Sequence, residues 1–189
     1  MFRPLSPKTV RWRPVDGEGL EHLTVEPHDG GIRATSVVIG DRGGLPYGVR
    51  YCIDCDARWF VRHFDIETTD GRHLALSSDG EGNWTSKDGD PMPEFAGCID
   101  IDLSGTPFTN TLPIRRLELT PRDGTATLAM LYVPFDNLEP YRDRQNYACL
   151  EAGQLYRYEA GDGDFSADLP VDEDGLIIDY PTLFERMKV

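Results

Sequence analysis

Eight Asp-Gly dipeptides punctuate this chain, at 16–17, 29–30, 70–71, 79–80, 88–89, 123–124, 162–163 and 174–175. Asp and Gly both tolerate the positive φ of a tight turn. Between two alternating runs, Asp-Gly is therefore a strong short-range hairpin signal. Several of the eight have such flanks. Residues 20–26 and 32–39 flank 29–30, residues 59–69 and 72–77 flank 70–71, and residues 112–120 and 125–133 flank 123–124. Further strands are expected near 46–54, 97–103, 141–150, 154–159, 165–169 and 176–179. Helix signals are sparse: a turn of helix at 107–111 and a short C-terminal helix over 181–188, with Pro181 near its first turn. With roughly a dozen strands joined by short turns, a flat open sheet is disfavoured; it curls, splits or closes.

Two-residue turns would fix the strand registers. At 123–124 such a turn sets Arg115 opposite Tyr132, Leu117 opposite Met130 and Leu119 opposite Leu128. These share one apolar face ended by Arg115, while Arg116 and Glu118 form a surface pair on the other. At 70–71 it groups Phe64 and Ile66 with His73, Ala75 and Ser77, and His63 and Asp65 with Leu74 and Leu76. Both faces of that hairpin are then mixed. A sheet with one side in water alternates more cleanly, so the reading implies a semi-polar lining around a cavity. The expected class is all-β and mainly antiparallel, a long sheet curled into an incomplete barrel, forming one domain over residues 1–189.

The net charge of −14 argues against nucleic acid and against electrostatic attachment to anionic lipid. A neutral or cationic small ligand remains open. No run of about 18 apolar residues exists, so no membrane span is expected. The N-terminal residues lack an apolar run of signal-peptide length, which points to a cytoplasmic protein with reduced cysteines. Cys52 and Cys55 form the one CxxC, but in a strand they are too far apart for a disulfide and point to opposite faces. Cys98 and Cys149 supply no second pair for zinc. No metal or cofactor is expected, since no histidine pair, P-loop or Rossmann pattern is present, and no nucleophile elbow either.

The densest polar stretch is GCIDIDL at 97–103 followed by TPFTNTLPIRRL at 106–117. Asp100 and Asp102 lie at i and i+2 of a strand and so share a face. Their spacing is compatible with paired-carboxylate chemistry on a sugar-like substrate. It is equally compatible with a pair satisfied by arginine. Arg115, at the end of an apolar face, needs a carboxylate or a polar ligand group if buried.

Together with the strand opened by Tyr51, Trp59, DGEGNW at 79–84, YRYEA at 156–160 and VDEDGLIIDYP at 171–181, this stretch resembles the bacterial family labelled "putative glycolipid-binding". The resemblance implies an antiparallel sheet curled into an incomplete barrel, like that of periplasmic lipoprotein carriers and certain mycobacterial glycolipid-binding lipoproteins. It also implies binding of an amphiphile with a sugar head, without catalysis. The chain departs from those carriers in lacking an export signal and a lipoprotein cysteine. The expected site has a polar rim of Asp100, Asp102, Asn110 and Arg115, with Tyr132 beside Arg115, over an apolar cavity. The alternative is a hydrolase or isomerase using Asp100 and Asp102.

Overall fold

A computed structural model describes residues 2–188. Fourteen strands run as β1 (Lys8–Pro14), β2 (Leu20–His28), β3 (Gly31–Arg42), β4 (Leu45–Cys55), β5 (Val61–Thr68), β6 (His73–Ser78), β7 (Trp84–Ser86), β8 (Asp100–Leu103), β9 (Thr125–Val133), β10 (Tyr141–Glu151), β11 (Leu155–Ala160), β12 (Ser166–Pro170), β13 (Asp179–Tyr180) and β14 (Phe184–Arg186). The one α-helix is α1 (Thr111–Leu117). The strands form an open nine-stranded sheet, β13-β14-β1-β2-β3-β4-β5-β6-β7, and a five-stranded sheet, β12-β11-β10-β9-β8, that curls into a half-barrel. Every named pairing is antiparallel except β8 with β9.

The Asp-Gly signal places turns correctly but not always their register. All eight of these glycines adopt positive φ, from +71° at Gly124 to +88° at Gly89. Only at 29–30 is the Asp also positive, at +48°, and there His28 pairs with Gly31 across a two-residue turn. At 70–71 the Thr68 N–H donates to the Arg72 carbonyl and the Gly71 N–H to Thr68, so the loop has three residues. That is the type I turn plus left-handed glycine of a longer hairpin. The register is therefore shifted by one from the two-residue expectation, and a one-residue slip exchanges the faces. Phe64 pairs with Leu76 and Ile66 with Leu74 on the core-facing side, while His63, Asp65 and Glu67 meet Ser77, Ala75 and His73 on the other, where the small Ala75 is covered by its neighbours. The mixed faces disappear, and with them that argument for a cavity lining. His63 and His73 share the outer face rather than lying on opposite ones.

The inward phase of the large sheet holds Leu23 and Val25 on β2, Ala34 and Val38 on β3, and Tyr51 and Ile53 on β4. The half-barrel does not leave this face open. Ile101 and Leu103 of β8, Leu131 and Val133 of β9, and Phe108 and Leu112 between them pack into one core cluster with it. A second cluster lines the half-barrel, with Tyr147, Tyr156, Tyr158, Leu169 and Tyr180 around Ile114.

Residues 112–120 are not a strand. Because β8 and β9 are parallel, their connection must cross over, usually through a helix. Residues 104–124 do so, with a 3-10 turn at Phe108–Asn110 running into α1. Pro113 fits because the first helical turn needs no N–H partner, and Glu118 ends the helix in the left-handed region at φ +47°. The C-terminal helix expected over 181–188 is replaced by a hairpin of β13 and β14 that turns at Thr182, φ +69°. β14 then adds to β1, with Trp12 opposite Arg186.

Candidate functional site

The two arginines of the crossover have exchanged the roles expected of them. Arg116, its side chain 10% exposed, forms a two-pronged ion pair with Asp100, Nε to Oδ1 at 3.0 Å and Nη2 to Oδ2 at 2.5 Å. Arg115 is nowhere near Tyr132. It donates to the backbone carbonyls of Arg3 and Asp174 and lies over the rings of Phe2 and Trp59. The error follows from reading a helix as a strand: successive residues point 180° apart on a strand but about 100° apart on a helix.

Asp100 and Asp102 are also divided. Asp100 is fully buried; burial raises its carboxyl against the pull of Arg116. Asp102 accepts from Thr109 Oγ1 at 2.8 Å and from Gln145 Nε2 at 2.7 Å. Burial raises it too, against those two bonds. Asn110 accepts from the Tyr147 hydroxyl at 2.8 Å and donates to the Pro107 carbonyl. Asp102, Asn110 and Tyr132 come together with Tyr158, Phe165 and Tyr180 around a cleft of about 140 Å³ in the half-barrel. Burial, then Asp102, pushes the Tyr132 hydroxyl up. Three of the five residues expected at a site are thus grouped, and Asp100 and Arg115 are not.

A larger cleft of about 380 Å³ adjoins it, sharing Ser104, Leu183 and Phe184 as a common wall. Its sides are the ends of β1 to β4 and the C-terminal hairpin, with Leu183 and Phe184 as partly exposed apolar surface over the buried Trp12 and Val38. Glu21 lines it, 2% exposed. Glu21 Oε1 accepts from the Tyr51 hydroxyl at 2.6 Å and Ser36 Oγ at 2.8 Å, and Thr106 lies 3.4 Å from the same Tyr51 hydroxyl. Its Oε2 is buried and has no partner. Burial, opposed by Thr106, Tyr51 and Ser36, pushes this carboxyl up to about 7. The nearby Tyr47 hydroxyl is pushed up to about 12, by burial and then by Glu21.

Sequence reading missed Glu21, although the signal was there. The two-residue turn at 29–30 sets Glu21 opposite Val38 and puts it in phase with Leu23 and Val25. A carboxylate in the core-facing phase of a strand is the buried polar group worth noting. Thr106, the first residue of TPFTNTLPIRRL, connects that stretch to Glu21 through Tyr51.

The four cysteines are free, Cys52 half-buried and Cys55 buried on the neighbouring phase. Among the described residues, no three His, Cys, Asp or Glu are grouped to hold a metal ion. No helix among them is long and apolar enough to cross a membrane.

The family described as "Putative glycolipid-binding" matches residues 9–186, nearly the whole chain. The chain belongs to this family. Among solved structures, it is similar to a DUF1089 family protein from Pseudomonas aeruginosa. The two are 41% identical, the match covers 93% of this chain and 95% of that one, and the TM-score is 0.79. A comparison with curated proteins finds no match. Within this glycolipid-binding family chain, the family-like stretch 106–117 serves chiefly as the crossover that fills the large sheet. Its first residue, with Asn110, borders the smaller cleft.

Proposed function

We propose that this protein binds a small amphiphile, a glycolipid or a molecule built like one, without transforming it. The observation that carries the reading is the cleft of about 380 Å³, with an apolar wall and a buried carboxyl at its side. That volume lies within the roughly 300–1,000 Å³ of ligand pockets, which are typically apolar with a few placed polar groups. The family description supports the same reading. Phe108 and Leu112 fill the space between the sheets, so the apolar part of the ligand lies in the surface cleft and not in a deep tunnel. Each methylene buried there contributes about 0.8 kcal/mol. The aromatic cleft beside it, with Asp102, Asn110 and Tyr132, would meet hydroxyls of the head.

The hydrolase or isomerase alternative requires two carboxylates at one cleft. Asp102 lines the smaller one, whereas Asp100 is outside it and held by Arg116. Native mass spectrometry after incubation with a bacterial lipid extract tests binding directly. A retained amphiphile is expected, displaced when Leu183→Asp puts a charge on the exposed apolar wall of the larger cleft. A protein that emerges bare from every extract would sink the proposal.

A further inference from the structure

Glu21 is a carboxyl group that the fold buries without completing. Two hydroxyls satisfy Oε1, and nothing satisfies Oε2. Leaving a buried acceptor unmade costs about 1–3 kcal/mol, more when it is charged. The surrounding elements offer no cation to it. β1 presents Trp12 directly opposite, and over the far side of Trp12 stands Arg186 of β14, whose Nε and Nη1 hold the Ile177 carbonyl and Asp172 while its Nη2 is buried without a partner. β3 presents Ser36, β4 presents Tyr47 and Tyr51, and the segment after β8 presents Thr106. The remaining charged residues of the cleft are Asp16, Glu18 and Asp41 against Arg42, and Arg42 is tied to Asp136 at 2.9 Å. The cleft therefore combines an apolar wall, an acidic rim and one unpaired buried carboxyl oxygen.

We propose that the larger cleft selects amphiphiles whose head carries a protonated amine, the ammonium seating on the free Glu21 oxygen and the apolar body on Leu183 and Phe184. This rests on the reading of the cleft as an amphiphile site. A hydrogen bond between two charged groups is roughly twice as strong as one between neutral groups. An ammonium therefore completes Glu21 better than a sugar hydroxyl does, and an anionic head is repelled. With its carboxyl pushed up to about 7, the free site is largely protonated in mild acid. Seating an ammonium favours the carboxylate, so the Glu21 proton leaves to solvent and the bound pair is neutral overall.

The test uses the full chain and three eight-carbon probes, octylamine, octyl glucoside and octanoate, each below its micelle concentration, in isothermal titration calorimetry. Octylamine is expected to bind at least about tenfold tighter than octyl glucoside at pH 8. Between pH 8 and pH 6 the ionised share of a group titrating near 7 falls from about nine-tenths to about one-tenth, so octylamine should weaken roughly tenfold. Titration near pH 6.5 in two buffers of different ionisation enthalpy should register proton release. Glu21→Gln should erase the amine preference while keeping octyl glucoside binding; if that variant does not fold, the proton release and pH dependence of the unaltered protein decide. Octyl glucoside binding as tightly as octylamine, or octylamine binding unchanged in the variant, overturns amine selectivity and leaves the amphiphile reading standing. If none of the three probes binds, both fall.

Discussion

Replacing Glu21 by Gln should change how stability depends on pH, and by a calculable amount. The folded state raises this carboxyl from 4.5 to about 7 because burial disfavours its charge. Between those values the native protein holds the proton more tightly than the unfolded chain does. Its stabilising contribution is therefore fully present below pH 4.5, declines as pH rises, and is lost above about 7. A rise of 2.5 units at about 1.36 kcal/mol each amounts to about 3 kcal/mol. Gln has the shape of the protonated acid and does not titrate. The variant should match the unaltered protein near pH 4.5 and exceed it by about 3 kcal/mol at pH 8. That is a large share of the roughly 5–15 kcal/mol typical of a folded domain. Urea unfolding of both proteins from pH 4.5 to 8 measures it, and taking the difference cancels every other titrating group. A difference that stays within about 0.5 kcal/mol across the range, the ordinary scatter of independent sites, would refute the claim that Glu21 is buried without a compensating charge.

The two crossover arginines should behave in opposite fashion. Arg116→Ala leaves Asp100 buried and unpaired and should cost about 3–5 kcal/mol in denaturant unfolding at pH 7. Arg115→Ala should cost clearly less, since Arg115 serves two backbone carbonyls and two ring faces; equal costs would contradict the assignment. Leu112→Ala opens a cavity in the packing between the sheets and should cost about 2–5 kcal/mol, measured by thermal or urea unfolding. A native thiol assay with a water-soluble disulfide reagent should register Cys52 well before Cys55, which is buried; simultaneous reaction of all four thiols would contradict the burial of Cys55, Cys98 and Cys149.

Much of the sheet was legible because its signals are local. Asp-Gly marked the turns, and alternation marked β2 to β6 and β9 to β12. β1 was legible and overlooked, since Val10 and Trp12 alternate with Thr9, Arg11 and Arg13 in the ordinary way. What failed were inferences passing through one more step. A three-residue loop at 69–71 in place of a two-residue one exchanged the faces of β6 relative to β5. At Pro113 the sequence allows both the start of a strand and the first turn of a helix; the parallel pairing of β8 with β9, fixed by distant contacts, decides between them. The arginine assignments inherited that error. The tail at 181–188 has a helix-like opening, yet the free edge of β1 captures it as a strand. Asp102 and Asn110 lie in the stretch singled out for its polar density, whereas Tyr132 was singled out through a pairing with Arg115 that does not form, and reaches the cleft from β9. Glu21 was passed over because it stands alone between apolar neighbours, where only the strand phase reveals it.

The pairing of β14 with β1 has a consequence for how the protein is made. These strands are separated by about 170 residues, so on a ribosome adding about 5–20 residues per second, β1 emerges roughly ten to thirty seconds before its partner. Throughout that interval the β1 edge offers an unpaired row of backbone donors and acceptors to any other extended segment. The same late strands bring Leu183 and Phe184, so the wall common to both clefts is among the last parts to arrive. Neither cleft can be complete before residues 179–186 are made. A nascent chain stalled before them would carry a nearly finished sheet, a sticky edge and two clefts without their common wall.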